Sequence, residues 1–271
     1  MSEADAIERT EDPVTVSRLV GDLQELGVEA GDDLLVHSSL SALGWVSGGA
    51  QAVVAALQEV VSADGTLVMP TFTGQLTDPA DWEAPPVPDN WVPMIRDSRP
   101  PFRPDVTPTR EMGAIAECFR THRETTRSRH PWYSFAAWGA KAATVVDAHP
   151  LSDGLGPGSP LGRLYDLDAS VLQLGTGHDT NTSFHLAEYR ADLDQSRSEH
   201  RGPVLSGGER TVVSFTDLDL VADDFEALGA DFEAAVGSRT GTVGAGRTRL
   251  ARQRELVDFA VGWLERNRSP L

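Results

Sequence analysis

The chain has 271 residues, 40% of them apolar and 24% charged, with a formal net charge of −18 at pH 7. That length supports a sizeable core, and so negative a field excludes nucleic acid as a natural partner while favouring a cationic ligand. One cysteine, Cys118, excludes an intramolecular disulfide and a cysteine-based zinc site. The acidic start "MSEADAIERTED" carries no secretory signal and no segment nears the ~18 apolar residues of a membrane span, so a cytoplasmic protein without a membrane partner is expected.

Residues 15–27 place Val16, Leu19, Val20, Leu23 and Leu26 at helical spacing. A short strand, "DLLVH", follows, then an amphipathic helix over 50–62 through Val53, Val54, Leu57 and Val61. "GTLVMPTF" reads as a strand. The segment from about 73 to 108, rich in proline, aspartate and tryptophan, lacks periodicity and reads as a long functional loop. Residues 109–121 read as a helix with Met112, Ile115 and Phe119 inward, and "SFAAWG" as a strand. Ser159 and Pro160 read as an N-cap and first helical residue. "SVLQLG" is a buried strand, "PVLSGGERTVVSF" a hairpin turning at Gly207-Gly208, and "RTRLARQRELVDFAVGWLERN" a closing helix. Alternating strands and helices predict a layered α/β core.

In such folds ligands sit beyond the carboxyl ends of strands, and three chemically dense stretches fall there. "LLVHSSLSALGWVSGGA" ends a strand with His37, Ser38 and Ser39 and leads through glycines into a helix whose first amides suit a phosphate or carbonyl oxygen. It lacks the GxxxxGK[ST] and GxGxxG patterns of nucleotide loops, and "GTGHDT" lacks the third glycine. "MPTFTG" is the second. The third, "GTGHDTNTSFHLAEYRA" at 175–191, starts a helix capped by Asn181 or Thr182. There His185 shares a face with Glu188 and Tyr189, and the helix's positive end favours the neutral imidazole that a general base requires. A core histidine satisfied by Glu188 fits the same pattern. So does a metal site of His178, Asp179, His185 and Glu188, although its spacing matches no standard zinc helix. Cys118, mid-helix beside Phe119, reads as structural.

Together "VHSSLSALGWVSGGAQAVVAAL", "GTLVMPTFT", "SRHPWYSFAAWG", "SPLGRLYDLD" and "LQLGTGHDTNTSFHLAEY" closely resemble, in order and spacing, the aminoglycoside 3-N-acetyltransferases, the antibiotic N-acetyltransferase family, over roughly residues 15–270. The resemblance implies a single domain over 1–271 with a three-layer α/β/α core around a mixed sheet, unrelated to the GNAT fold. It implies acetyl transfer from acetyl-CoA, with no metal, to the 3-amino group of the 2-deoxystreptamine ring of an aminoglycoside. It makes His185 the general base. His37, Ser38, Ser39 and Leu40, with Val46, Ser47 and Gly48, then contact coenzyme A, and Thr182 and Ser183 lie on the same side. Asp78, Asp81, Glu83, Asp217 and Asp219 stand where relatives bind the drug, and Glu188, Asp179 and Asp217 all remain candidates for the carboxylate partner of His185. His130 of "RHPW" belongs to a family motif of no assigned role. The alternatives are a transferase of the same fold acting on another amine, and a metal-dependent hydrolase using His178, Asp179 and His185.

Overall fold

The computed structural model describes residues 3–8, 10–83 and 85–268. Its strands are β1 (Asp33–Ser38), β2 (Thr66–Pro70), β3 (Thr126–Arg127), β4 (Phe135–Gly139), β5 (Ser170–Leu174), β6 (Arg197–Ser206), β7 (Glu209–Leu218), β8 (Arg239–Val243) and β9 (Gly246–Arg252). Seven of them form one mixed sheet in the order β3-β4-β2-β1-β5-β9-β8, while β6 and β7 make a separate ribbon. β1 lies between β2 and β5 and runs parallel to both; the remaining pairings are antiparallel.

Successive strand residues point to opposite faces, and each face has its own core. Leu34 and Val36 of β1, with Leu67 and Met69 of β2, enter one core; Leu35 and Val68 enter the other. The sequence reads as continuous apolar runs here because both faces of these strands are covered. After α1 (Glu3–Glu8), α2 (Val16–Leu26) and α3 (Gly49–Val61) cover the first face. The loop after β2 contains α4 (Val92–Ser98), and α5 (Gly113–Arg120) completes the first layer through Ile115, Ala116 and Phe119. The second face is covered by α6 (Ala142–Val146), α7 (Pro160–Asp166), α8 (Ser183–Glu188), α9 (Phe225–Ala235) and α10 (Gln253–Asn267). This is the expected three-layer α/β/α arrangement around a mixed sheet. Among the described residues no helix is long and apolar enough to cross a membrane.

Three expectations change. The segment read as a closing helix is a strand and then a helix: Gly246, Thr248 and Leu250 of β9 are buried in alternation, and α10 starts only at Gln253. The helix expected over 109–121 starts at Gly113, because Glu111 and Gly113 both have positive φ (63° and 81°) and break any helix entering from Thr109. The stretch 73–108 is not structureless; it holds α4 and three 3₁₀ turns, Gly74–Leu76, Pro79–Asp81 and Asp89–Trp91.

Candidate active site

The parallel strands β1, β2 and β5 deliver their carboxyl ends to one place: His37 is opposite Gln173, and Ser38 opposite Leu174. A cavity of about 790 Å³ opens there, lined by His37, Ser38, Ser39, Leu40 and Val46 from the first loop, Pro70 and Phe72 from the second, and Thr176, Thr180 and Thr182 from the third. The chain leaves β1 through a 3₁₀ turn at Leu40–Leu43, then Gly44 (φ 83°, ψ −160°) reverses it in a conformation that L residues avoid. Gly48 (φ 91°) caps α3, whose first residue, Gly49, also lines the cavity. Of the expected coenzyme contacts, Ser47 is exposed, with its amide donating to Val14 O, and Ser183 is fully buried. Neither they nor Gly48 reach the lining. One buried hydroxyl of the lining, Thr176 Oγ1, has no partner among the described residues, as a polar group that meets a ligand would.

His37 is 6% exposed and lies within 3.3 Å of Thr182 Oγ1 through its Nε2. Burial, and then the neighbouring His185, push its pKa down to about 3, so it is neutral at any working pH. His185 follows Thr182 by three residues. Its Nδ1 is 2.5 Å from Glu188 Oε2, the i,i+3 partner on α8. With Nδ1–H donated to a carboxylate, Nε2 is the basic nitrogen. The ring of Phe225 packs beside the imidazole, tilted by 56° with 4.8 Å between centroids. Glu188 Oε1 accepts from Val221 N at 3.0 Å and from Arg268 Nη1 at 2.5 Å. Thus Glu188, of the three carboxylates left open by the sequence, holds His185.

The helix under this dyad is shorter than expected. α8 has six residues, and Asn181 Oδ1 caps it by accepting from Ser183 N at 3.1 Å. So short a helix leaves its dipole little influence on His185, and the carboxylate bond defines the ring instead. Tyr189, expected on the same face, donates its hydroxyl to Asp217. Asp179 is exposed, and His178 is buried with Nε2 on Glu233 at 2.9 Å. His178, Asp179 and His185 therefore do not converge, and among the described residues no three His, Cys, Asp or Glu side chains could hold a metal ion. Ser39 N–H is taken by Leu174 O at 3.0 Å, which removes it as an oxyanion donor.

The acidic residues expected at the drug site divide into two groups. Asp78 is paired with Arg96 through a forked contact and caps Ala80 N, and Asp217 is fully buried, accepting from Gly154 N and Leu218 N. Asp81, Glu83 and Asp219 are exposed. Cys118 is half-buried against the first core, and burial pushes its thiol up, away from nucleophilic reactivity. Arg268 and Asp224 have no sequence signal: they lie 80 and 36 residues from Glu188, and the fold brings Arg268 onto Glu188 and Asp224 onto Arg268. Met112 of the lining reads as core in the sequence because an apolar side chain suits either role, while Trp45 and Phe72 lie within the first two dense stretches without a signal of their own.

A family profile described as aminoglycoside 3-N-acetyltransferase matches residues 35–265. The chain is 44% identical over 265 residues, 97% of each chain, to the SPbeta prophage-derived aminoglycoside N(3')-acetyltransferase-like protein YokD of Bacillus subtilis. The crystal structure of YokD superposes with a TM-score of 0.95, covering 97% of this chain and 98% of that one at 43% identity. Identity is 36% over 280 residues to aminoglycoside N(3)-acetyltransferase VII of Streptomyces paromomycinus, covering 98% of this chain and 96% of the relative. AAC-IIIb, solved as a binary complex with CoASH, matches with a TM-score of 0.85 at 31% identity over 96% of this chain and all of that one. AAC-VIa bound to sisomicin matches with 0.85 at 32% over 95% of this chain and all of that one. A site at the ends of parallel strands, a match along nearly the whole length and identities well above the range of shared fold alone lead to one conclusion: the chain belongs to the aminoglycoside 3-N-acetyltransferase family, a family of acyltransferase enzymes.

Proposed function

We propose that this enzyme acetylates the 3-amino group of the 2-deoxystreptamine ring of an aminoglycoside at the expense of acetyl-CoA, with His185 as general base. The observation that carries this reading is the His185–Glu188 bond of 2.5 Å, which leaves a basic Nε2 three residues beyond Thr182 of the cavity wall. Acetyl-CoA supplies an acyl group already activated as a thioester. The protein then holds a free amine against that carbonyl and accepts the amine's proton at His185 Nε2 as the C–N bond forms and the C–S bond breaks. His37, neutral and buried, holds Thr182 at the cavity floor. The apolar lining from Leu40, Val46, Phe72 and Met112 suits the pantetheine arm, and the segment near residues 73–108, with Asp81 and Glu83, selects the drug.

A panel of aminoglycosides assayed by thiol release, with wild type and His185→Ala side by side, tests this. Release should require the drug, fall by ~10²-fold or more in the variant, and yield a product carrying one acetyl group on the 3-amino nitrogen. Full activity in the variant would remove His185 from the mechanism. Protection by acetyl-CoA without release on any aminoglycoside would move the substrate to another amine. That second reading draws on Asp78 and Asp217, both committed within the chain rather than open to a ligand.

A further inference from the structure

Glu188 does not hold His185 alone. Its side chain is fully buried, and a bare carboxylate there would be costly unless matched by a cation with its hydrogen bonds satisfied. The match comes from the far end of the chain, just beyond α10. Arg268 places Nη1 2.5 Å from Glu188 Oε1. Its other edge is gripped by Asp224, with Nε on Oδ2 at 2.8 Å and Nη2 on Oδ1 at 2.7 Å, and Nη2 also donates to Val221 O at 2.7 Å. The amide of that same Val221 donates to Glu188 Oε1 at 3.0 Å. Burial works against the charged guanidinium, but Asp224 and Glu188 outweigh it and the net shift of Arg268 is upward. A planar fork that satisfies two carboxylates at once is a task for arginine, not lysine.

We propose that Arg268, anchored by Asp224, is a positioning residue that fixes Glu188 and sets how strongly that carboxylate draws a proton onto His185. The proposal deepens the assignment of His185 as the base and rests on it. The other titratable groups near the pair are His37, Tyr133 and Tyr189, which are neutral, and the carboxylates Asp217 and Asp219, which face Tyr133. His37 on β1 is neutral, and Tyr133, which faces Glu188, Asp217 and Asp219, is pushed upward by burial and then by those carboxylates. Tyr189 is tied to Asp217, and its hydroxyl too is pushed up by burial and by that bond. Glu188, Arg268 and Asp224 are the charges in direct contact, one cation against two anions, and Asp217 and Asp219 add the same background in every variant. Removing the cation strengthens the field that favours imidazolium; removing the Asp224 charge weakens it.

The test compares Arg268→Met, Arg268→Lys and Asp224→Asn by the pH dependence of kcat/KM and by NMR titration of the His185 ring in the free enzyme. In Arg268→Met the titration midpoint should rise by about one pH unit, and kcat/KM on the plateau should fall by ~10-fold or more. In Asp224→Asn the midpoint should fall, and Arg268→Lys should not restore the wild-type rate. Losses of activity with unmoved midpoints in both charge variants would overturn the proposal and leave Arg268 a scaffold residue. Should Arg268→Met fail to fold, the downward shift in Asp224→Asn still decides. The ring titration is independent of turnover, so it separates failure of this clamp from failure of the base assignment, which His185→Ala reports.

Discussion

At the residue scale the clearest division is between His130 and His149, which serve the backbone, and His185, whose Nδ1 is held by Glu188 and whose Nε2 is the proposed base. His130 Nδ1 accepts from Trp132 N at 3.1 Å and Tyr133 N at 2.9 Å, so its proton sits on Nε2, within 2.9 Å of Leu151 O. His149 accepts from Ser128 Oγ at 2.9 Å and donates to Gly154 O at 2.6 Å, while Ser128 Oγ also accepts from Phe135 N. The "RHPW" motif is thus a fold-holding device. His149, outside that motif, holds Gly154, whose amide donates to Asp217, and Asp217 receives the Tyr189 hydroxyl at the end of α8. Protonating either ring breaks accepted hydrogen bonds inside a dry environment. Burial, foremost, lowers His130 to about 4 and His149 to about 3, as it lowers His37 to about 3. The sign for stability follows. The unfolded chain takes up these protons near pH 6.5 and the folded chain does not, so the stabilisation is complete above pH 6.5 and is lost as pH falls toward the folded values. Between pH 7 and pH 5 each buried ring should forfeit roughly 2 kcal/mol. Urea midpoints across that range should drop steeply, and a His149→Gln variant, weaker at pH 7, should show a shallower slope; an equal slope would refute the linkage. These roles were only half legible. The histidines stand out in the sequence, but His185 and His130 differ in partners, and partners such as Leu151 O and Arg268 are set by tertiary contact rather than spacing.

At the element scale, legibility tracked the period of the pattern. α2, α3, β1, β2 and β5 each carry an uninterrupted signal, and Thr15 and Ser159 cap their helices by accepting from Arg18 N and Leu161 N. The β9 segment reads as helix because arginine, leucine and alanine favour helices, whereas the burial of Thr248 and Leu250 in alternation is set by pairing with β5. α9 has no counterpart among the expected elements, although Phe225, Leu228 and Phe232 repeat at helical spacing. That helix matters to the site. Phe225 touches the His185 ring, and Glu233 holds His178, whose imidazole stacks on Phe184 of α8 at 5.8 Å. Gly229 lies one turn before Glu233, and a Cβ there would run into the His178 ring. Gly229→Ala therefore opposes two effects: a helix propensity gain of about 1 kcal/mol and overpacking of about 1–3 kcal/mol or more. The clash wins, since the His178 ring is buried and tied down. The variant should lose stability in a thermal melt and lose kcat through displacement of the turn that starts α8. A more stable variant of unchanged kcat would show that this turn is free to shift.

At the scale of the whole molecule, the two substrates of the proposed reaction carry opposite charge, and the protein treats them oppositely. The net charge of −18 builds a field that concentrates a polycationic drug and repels acetyl-CoA. The exposed carboxylates Asp81, Glu83 and Asp219 add to that field locally. Among the described residues lining the cavity the one charged side chain is that of Glu111; His37 is neutral, and the remaining walls are apolar, hydroxyl-bearing or glycine backbone. Binding of the coenzyme arm there draws on burial of apolar surface rather than on ion pairs, which salt does not screen. Ionic strength should therefore split the kinetics. Raising salt from ~20 to ~300 mM shortens the Debye length from roughly 20 Å to below 10 Å, which weakens both the attraction of the drug and the repulsion of the coenzyme. KM for the aminoglycoside should rise several-fold, KM for acetyl-CoA should hold or fall, and kcat should stay level because the His185–Glu188–Arg268 cluster is buried and little screened. A drug KM independent of salt would mean that the acidity of this chain serves solubility alone, and that recognition of the cation is carried by short-range contacts within the 73–108 segment.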